Sequence, residues 1–500
     1  MRRLAAIALC VVPLVAAGCG SSGASDSGQS PLDNALGYMP KSAPIVFTLD
    51  TDLGDSQWQS LTTNAQKFPF SGQVTKSLKT AISQSGLDYD KDVKPLLGNP
   101  FVIAIPTVQT TLSGNSQAVG AVEVKDKGKL SDLLSGDKDV TKDGSANGAT
   151  LYKATSGGTE FAQKDDVFLV ADSKQQLTAA LEQRERDDRL TEDTFNSNLS
   201  GLPSEALVKG YVDAGALLGG SPAAATARKV KWVAALKTTG FTLSSQSDGI
   251  SIDFNARTDP SQLTEADLPL ASGDDSPPVA VKPGEIGVGI RGLDQTERFI
   301  ENVAQVVSPG SFSNFAQAKK TLSKRLGLDI DKDVLAQLSG NVAAAFDISG
   351  HYAARAEPKD PAAFEKTLEQ FAKVATKFAS GAGLQGAKLT KVGNLYKLTG
   401  SNGKTIYYGM VGKVFALSNS PSRLASIAAQ TPQAVPGAKG ALTVNADIGE
   451  LVSQIIAQAA GGGLGGAFGG SLATAPLGNL VGWVNSSTSG LQGHYKLEIK

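Results

Sequence analysis

The chain has 500 residues and a formal net charge of −1, from 47 basic and 48 acidic side chains. That balance, with no long basic run, leaves nucleic-acid binding without electrostatic support; the length allows two or three domains, and 41% hydrophobic residues can fill a large core. The two cysteines, Cys10 and Cys19, both fall within the first twenty residues, so the remainder can form neither a disulfide nor a thiol site.

The N-terminus reads Met1-Arg2-Arg3, an apolar run from Leu4 to Val15, then Ala16-Ala17-Gly18-Cys19. A basic start, a short apolar stretch and small residues mark residues 1–18 as a secretory signal peptide. The run is too short for the roughly 20 residues that span a bilayer. Small residues followed by Cys19 resemble the lipobox of bacterial lipoproteins. The resemblance implies cleavage before Cys19, a diacylglycerol on its sulfur, and a protein held on the extracytoplasmic face of the cell membrane. Residues 19–35 read as the lipidated cysteine and a tether, because Gly20–Ser30 (GSSGASDSGQS) is polar and rich in Gly and Ser.

Downstream, the chain repeats itself. Gly86-Leu87-Asp88-Tyr89-Asp90-Lys91-Asp92-Val93 returns as Gly327-Leu328-Asp329-Ile330-Asp331-Lys332-Asp333-Val334. At a similar spacing of about 240 residues, a domain-sized period, Pro44–Phe47 matches Glu285–Val288 and Val122–Asp126 matches Ala356–Asp360. Leu151–Lys153 likewise matches Leu395–Lys397, Val167–Val170 matches Val414–Leu417, and Gly240-Phe241 matches Gly482-Trp483. The expected organisation is repeat 1 over 36–258, a linker over 259–278 rich in Pro, Ser and Asp, and repeat 2 over 279–500.

Each copy predicts the same elements. A strand at Ile45–Leu49 is followed by two helices, with Val74, Leu78, Ala81 and Ile82 on one face of the second. The Asp-rich corner leads to strands at Phe101–Ile105 and Ala118–Val124. A helix follows, clearest in the second copy as the stripe Phe364, Leu368, Phe371, Ala375 and Phe378. Strands around Tyr152, at Val167–Val170 and at Leu207–Val212 come next, and a hairpin closes the copy. In that hairpin Ile250, Ile252 and Phe254 predict a dry face, and Ser251, Asp253 and Asn255 a wet one. The fold class is α+β: two tandem homologous domains, each a mainly antiparallel sheet with helices packed on one face.

Tyr38-Met39-Pro40, the strand Ile45–Asp50, Lys67-Phe68-Pro69 and the corner from Leu87-Asp88 to Leu97-Gly98 resemble actinobacterial envelope proteins catalogued as domain-of-unknown-function family three-three-five-two. The resemblance covers most of the mature chain. It implies a surface lipoprotein or membrane-tethered protein; it implies no particular activity, so no catalytic residue carries over.

Candidate chemistry is sparse. Asp88/Asp90/Asp92 and Asp329/Asp331/Asp333 have the spacing that opens a calcium loop. That loop needs Gly at its sixth position and Glu at its twelfth, where this chain has Val93 and Asn99, then Val334 and Gly340. Asp92 and Asp333 therefore read as caps of the short helices that follow. The two histidines, His351 and His494, lie in different strands and do not form a metal cluster or a triad. Gly54-Asp55-Ser56 reads as a helix start. Gly461–Gly470 lacks the Lys-Ser or Lys-Thr of a phosphate loop and reads as a break between helices, and Leu217–Ala227 as a weakly apolar flap. Arg228, Lys229, Lys231 and Trp232 form a small basic-aromatic cluster. No cofactor, no metal and no catalytic residue is expected, and Cys19 is the one site residue, for lipidation. The expected function is a non-enzymatic, membrane-anchored lipoprotein that binds an apolar or envelope-derived ligand. A scaffold that docks an envelope protein is the alternative, and a carboxylate-based hydrolase a more distant one.

Overall fold

A computed structural model of the chain describes residues 29–69, 71–84, 87–109, 117–155, 158–379, 384–460 and 476–500. Cys19, the signal peptide and Gly461–Gly470 lie outside the described residues, as do the side chains of Val74, Leu78, Ala81 and Phe378. The chain is α+β and divides into two compact units. The first comprises Met1–Ala225, Lys237–Arg257 and Ile499–Lys500; the second comprises Thr226–Leu236 and Thr258–Glu498.

The first unit contains β1 (Ile45–Leu49), β2 (Phe101–Ile105), β3 (Val119–Glu123), β4 (Val140–Ala146), β5 (Ala149–Ala154), β6 (Glu160–Lys164), β7 (Val167–Ala171), β8 (Val208–Val212), β9 (Leu236–Gln246) and β10 (Gly249–Thr258). They pair in the order β4-β5-β6-β7-β3-β2-β1-β8-β9-β10, with antiparallel neighbours from β4 to β9. The second unit contains β11 (Glu285–Arg291), β12 (Asn341–Asp347), β13 (Tyr352–Ala356), β14 (Lys388–Val392), β15 (Leu395–Thr399), β16 (Thr405–Val411), β17 (Val414–Ser418), β18 (Leu442–Asp447), β19 (Leu477–Ser487) and β20 (Gly490–Ile499). Its order, β14-β15-β16-β17-β13-β12-β11-β18-β19-β20, is that of the first unit strand for strand.

The register agrees with the sequence matches residue by residue. Phe47 faces Ile103 and Val288 faces Ala344; Val122 faces Phe168 and Ala356 faces Phe415. One match shifts. Gly210 faces Phe241 and its counterpart Val444 faces Gly482, so Phe241 corresponds to Gly482, one residue before Trp483. Side-chain size is traded between strands there, which misleads a comparison by residue type.

Helices pack on both sheet faces, not one. Val102 and Ala104 of β2 point toward helices Pro31–Leu36, Lys174–Arg184 and Glu192–Asn198, in a cluster with Leu36, Leu177 and Phe195. Phe101, and Ile103 between them, point to the other side, toward Leu130 and Leu134 of helix Lys127–Gly136. Both sides are apolar because β2 and β3 are central strands, whose residues face helices in either direction. The second unit repeats this with Phe364 and Leu368 on one face and Leu424 and Ile427 on the other.

The closing hairpin has the predicted period and the opposite sense. Ser251 and Asn255 are buried, while Ile252 is 47% exposed. Asn255 can enter because it is satisfied there: its Oδ1 accepts from the Gly240 N–H at 3.2 Å and its Nδ2 donates to the Ser200 carbonyl at 2.6 Å.

The Pro/Ser/Asp-rich stretch 259–278 is docked onto the second unit. Leu268 is buried, Gln295 donates to the Glu265 and Leu268 carbonyls at 3.0 and 2.7 Å, and Arg291 donates to those of Ser272, Gly273 and Asp275.

Candidate functional site

The first unit holds a cavity of about 430 Å³ along helix Lys174–Arg184. Ser173 caps that helix by accepting from the Gln176 N–H at 3.3 Å. Leu177 and Leu181 then point into the core, and Gln176, Ala179 and Gln183 line the cavity. The opposite wall comes from Tyr38, Pro40 and Ser42, and the rim from Pro106, Thr107 and Gln117 at the two ends of the β2–β3 connection.

This lining is uncharged apart from Arg186, which is paired with Asp188 at 2.8 and 3.0 Å. Burial pushes the Tyr38 phenol up to about 12, against the opposing charge of Arg184, whose guanidinium lies 5.7 Å from the ring centroid. Tyr38 is therefore neutral at physiological pH. The Gln176 Oε1 is buried and meets no donor among the described residues. An unmet buried acceptor costs about 1–3 kcal/mol. The volume falls within the usual range for small-molecule pockets, roughly 300–1,000 Å³.

In the second unit the corresponding place is filled by charge. The shared register, and the serines Ser173 and Ser420 at the N-cap positions of matching helices, put Glu285, Asp347, His351 and Arg423 where the first unit has Pro44, Pro106, Gln117 and Gln176. Arg423 Nη1 lies 2.7 Å from Asp347 and Nη2 3.0 Å from Glu285, and His351 Nδ1 lies 3.0 Å from the same Asp347. Burial acts to raise the Asp347 carboxyl, but hydrogen bonds from His351 and the charge of Arg423 outweigh it and hold the group below the usual carboxylate range.

A second exchange runs the other way. In the first unit helix Pro31–Leu36 covers β3, and Asn34 donates to the buried Glu123 at 2.6 Å; burial pushes that carboxyl up, against this bond. The counterpart Glu357 is 71% exposed and accepts from Arg355 at 2.7 Å. Arg355 stands at the position of Ala121, also donates to the Gln430 carbonyl, and forms the floor of a 290 Å³ pocket.

The Asp-rich corners are closed on themselves. Asp88 and Asp329, not Asp92 and Asp333, cap the following turns, and Asp92 and Asp333 accept from the backbone N–H of those caps at 2.7 and 2.8 Å. Among the described residues no group of three or more His, Cys, Asp or Glu is placed to hold a metal ion. Asp55 caps the helix at Ser56, as expected from Gly54-Asp55-Ser56. His494 stacks on Trp483 at 6.1 Å. Sequence reasoning overlooked the Gln176 cavity. The signal was the substitution of Gln176 for Arg423 after matching N-cap serines.

No curated protein matches the chain. Among solved structures, crystal form III of TP0453 is 10% identical, with a TM-score of 0.27 over 45% of this chain and 79% of that chain. Crystal form I is 10% identical, with a TM-score of 0.28 over 47% and 80%. Likeness at this level does not relate the folds. A family model described as "Protein of unknown function (DUF3352)" matches residues 4–436. The chain belongs to the DUF3352 family of proteins of unknown function.

Proposed function

We propose that the chain is an exported, lipid-anchored, non-enzymatic envelope protein whose first unit holds a small uncharged ligand, apolar or envelope-derived, in the Gln176 cavity. The observation that carries this reading is the cavity itself, with walls uncharged but for the paired Arg186, and the buried, unmet Gln176 Oε1 beside it. The Met1–Cys19 pattern supports the anchor. The common strand order supports a duplication in which one copy kept the cavity and the other filled it with ions. The tether and two acyl chains would hold the site near the membrane, each buried methylene adding about 0.8 kcal/mol.

Native mass spectrometry of Gly20–Lys500, secreted into its own envelope and purified gently, tests the ligand. A small molecule at fixed stoichiometry is expected, and a bare mass at every collision energy would sink the binding reading. For the anchor, Cys19→Ser protein should lose acyl label and leave the membrane fraction; an unprocessed, membrane-bound product would refute it.

A further inference from the structure

Helix Leu293–Val307 buries only Gln295 fully. Its Phe299 meets Trp232 edge to face at 6.4 Å. Next to Phe299, Ile300 and Val307 are 59% and 56% exposed. They lie two turns apart and form one ridge along the helix. Of the acids of this helix, Asp294 lies 3.4 Å from Arg298, and the mostly buried Glu297 and Glu301 lie 2.7 and 2.5 Å from Lys319, which they share with Asp331.

The segment carrying Trp232 packs against the same helix and brings Arg228, Lys229 and Lys231, all exposed. Lys231 is 3.3 Å from Asp267, whereas Arg228 and Lys229 have no carboxylate partner among the described residues. Single exposed apolar residues are ordinary on proteins. An exposed two-turn apolar ridge beside a tryptophan and basic side chains is the pattern of helices that lie in a bilayer interface. Basic residues at such a surface add attraction of about 1 kcal/mol each toward anionic lipid.

We infer that this face of the second unit rests on an anionic lipid surface, with Ile300 and Val307 entering the headgroup boundary and Arg228 and Lys229 meeting lipid phosphates. The inference is independent of the Gln176 cavity and needs no acyl group on Cys19.

The test is co-sedimentation of Gly20–Lys500, which lacks Cys19 and keeps every described residue, with vesicles of phosphatidylglycerol and phosphatidylcholine or of phosphatidylcholine alone. Binding to the anionic vesicles, weakened by salt, is expected. Arg228→Glu with Lys229→Glu should lower the partition coefficient about tenfold or more, and Ile300→Ser with Val307→Ser several-fold. All four positions are exposed, so thermal unfolding should match the parent. Absence of binding, equal binding to neutral vesicles, or variants that bind like the parent would overturn the proposal. So would self-association in velocity sedimentation that Ile300→Ser with Val307→Ser abolishes, because the ridge would then be a contact between copies.

Discussion

Arg423 of the second unit stands where Gln176 stands in the first, three residues after matching N-cap serines, and the two side chains have opposite surroundings. Arg423 lies between Glu285 and Asp347, which face each other across β11 and β12, whereas Gln176 faces open volume. One substitution, with its two carboxylate partners, distinguishes a filled site from an open one.

Arg423→Gln should therefore destabilise the second unit. All three side chains are mostly buried, at 13–18% exposure, and removing Arg423 leaves Glu285 without its cation and Asp347 with His351 alone. The expected loss is about 2–4 kcal/mol at neutral pH. Asp347 has a depressed folded pKa, so its contribution is present above the usual carboxylate value and lost as pH falls through the folded one. The gap between variant and parent should thus close below about pH 4. Urea unfolding across pH measures both effects; a constant gap would show that the charge of Arg423 is not what matters.

Ala179 lines the cavity mouth and is exposed. Ala179→Trp should fill much of the space without entering the core, leaving the unfolding midpoint within about 0.5 kcal/mol of the parent. Any copurifying ligand should disappear from the native mass spectrum. A ligand retained at full stoichiometry would place it elsewhere.

The β1–β8 pair shows size traded across the two units. Phe47 faces Gly210 in the first, Val288 faces Val444 in the second. Phe47 covers Gly210 and reaches Phe241 at 5.5 Å, so a Cβ on Gly210 would fall 2.2 Å from the Phe47 ring and 2.9 Å from the Val46 carbonyl oxygen. Gly210→Val should cost about 2–3 kcal/mol through overpacking. Adding Phe47→Val, which imports the second unit's pair, should recover at least 1 kcal/mol in a double-mutant cycle. Additive losses would mean that the ring is not the obstacle.

The strands at Ile45–Leu49 and Phe101–Ile105 were legible because central strands carry continuous apolar runs, and the recurring strand order was legible because the Asp88 and Asp329 corners keep their caps. The hairpin's inward face was not, since Ser251 and Asn255 are polar and only a tertiary partner such as the Ser200 carbonyl makes their burial tolerable. The cavity was illegible for a related reason. Gln176, Tyr38 and Pro106 are ordinary residues far apart in the chain, brought together only by the packing of a helix, a turn and a strand end. The ion cluster Glu285, Asp347, His351 and Arg423 is equally dispersed, and nothing local to any of the four marks it.

Asp50 provides a pH-dependent test in the first unit. It follows β1, is partly buried, and its Oδ1 accepts from the Asp52 N–H at 2.9 Å. Burial raises its pKa to about 6, the Asp52 N–H opposes this, and the nearby Asp55 and Asp52 charges add to it. A raised folded pKa means that its contribution is fully present below the unfolded value near 3.8 and is lost as pH rises through about 6. Above pH 6 the ionised group therefore costs stability, up to about 3 kcal/mol. Asn at this position keeps an oxygen for the Asp52 N–H and carries no charge. Asp50→Asn should stabilise the protein at pH 7.5 by about 1–3 kcal/mol and give no gain at pH 4. Denaturant unfolding at both pH values decides it. An equal gain at both would assign the effect to packing, and a loss at pH 7.5 would mean that the Asp50 charge has a partner that holds it in place.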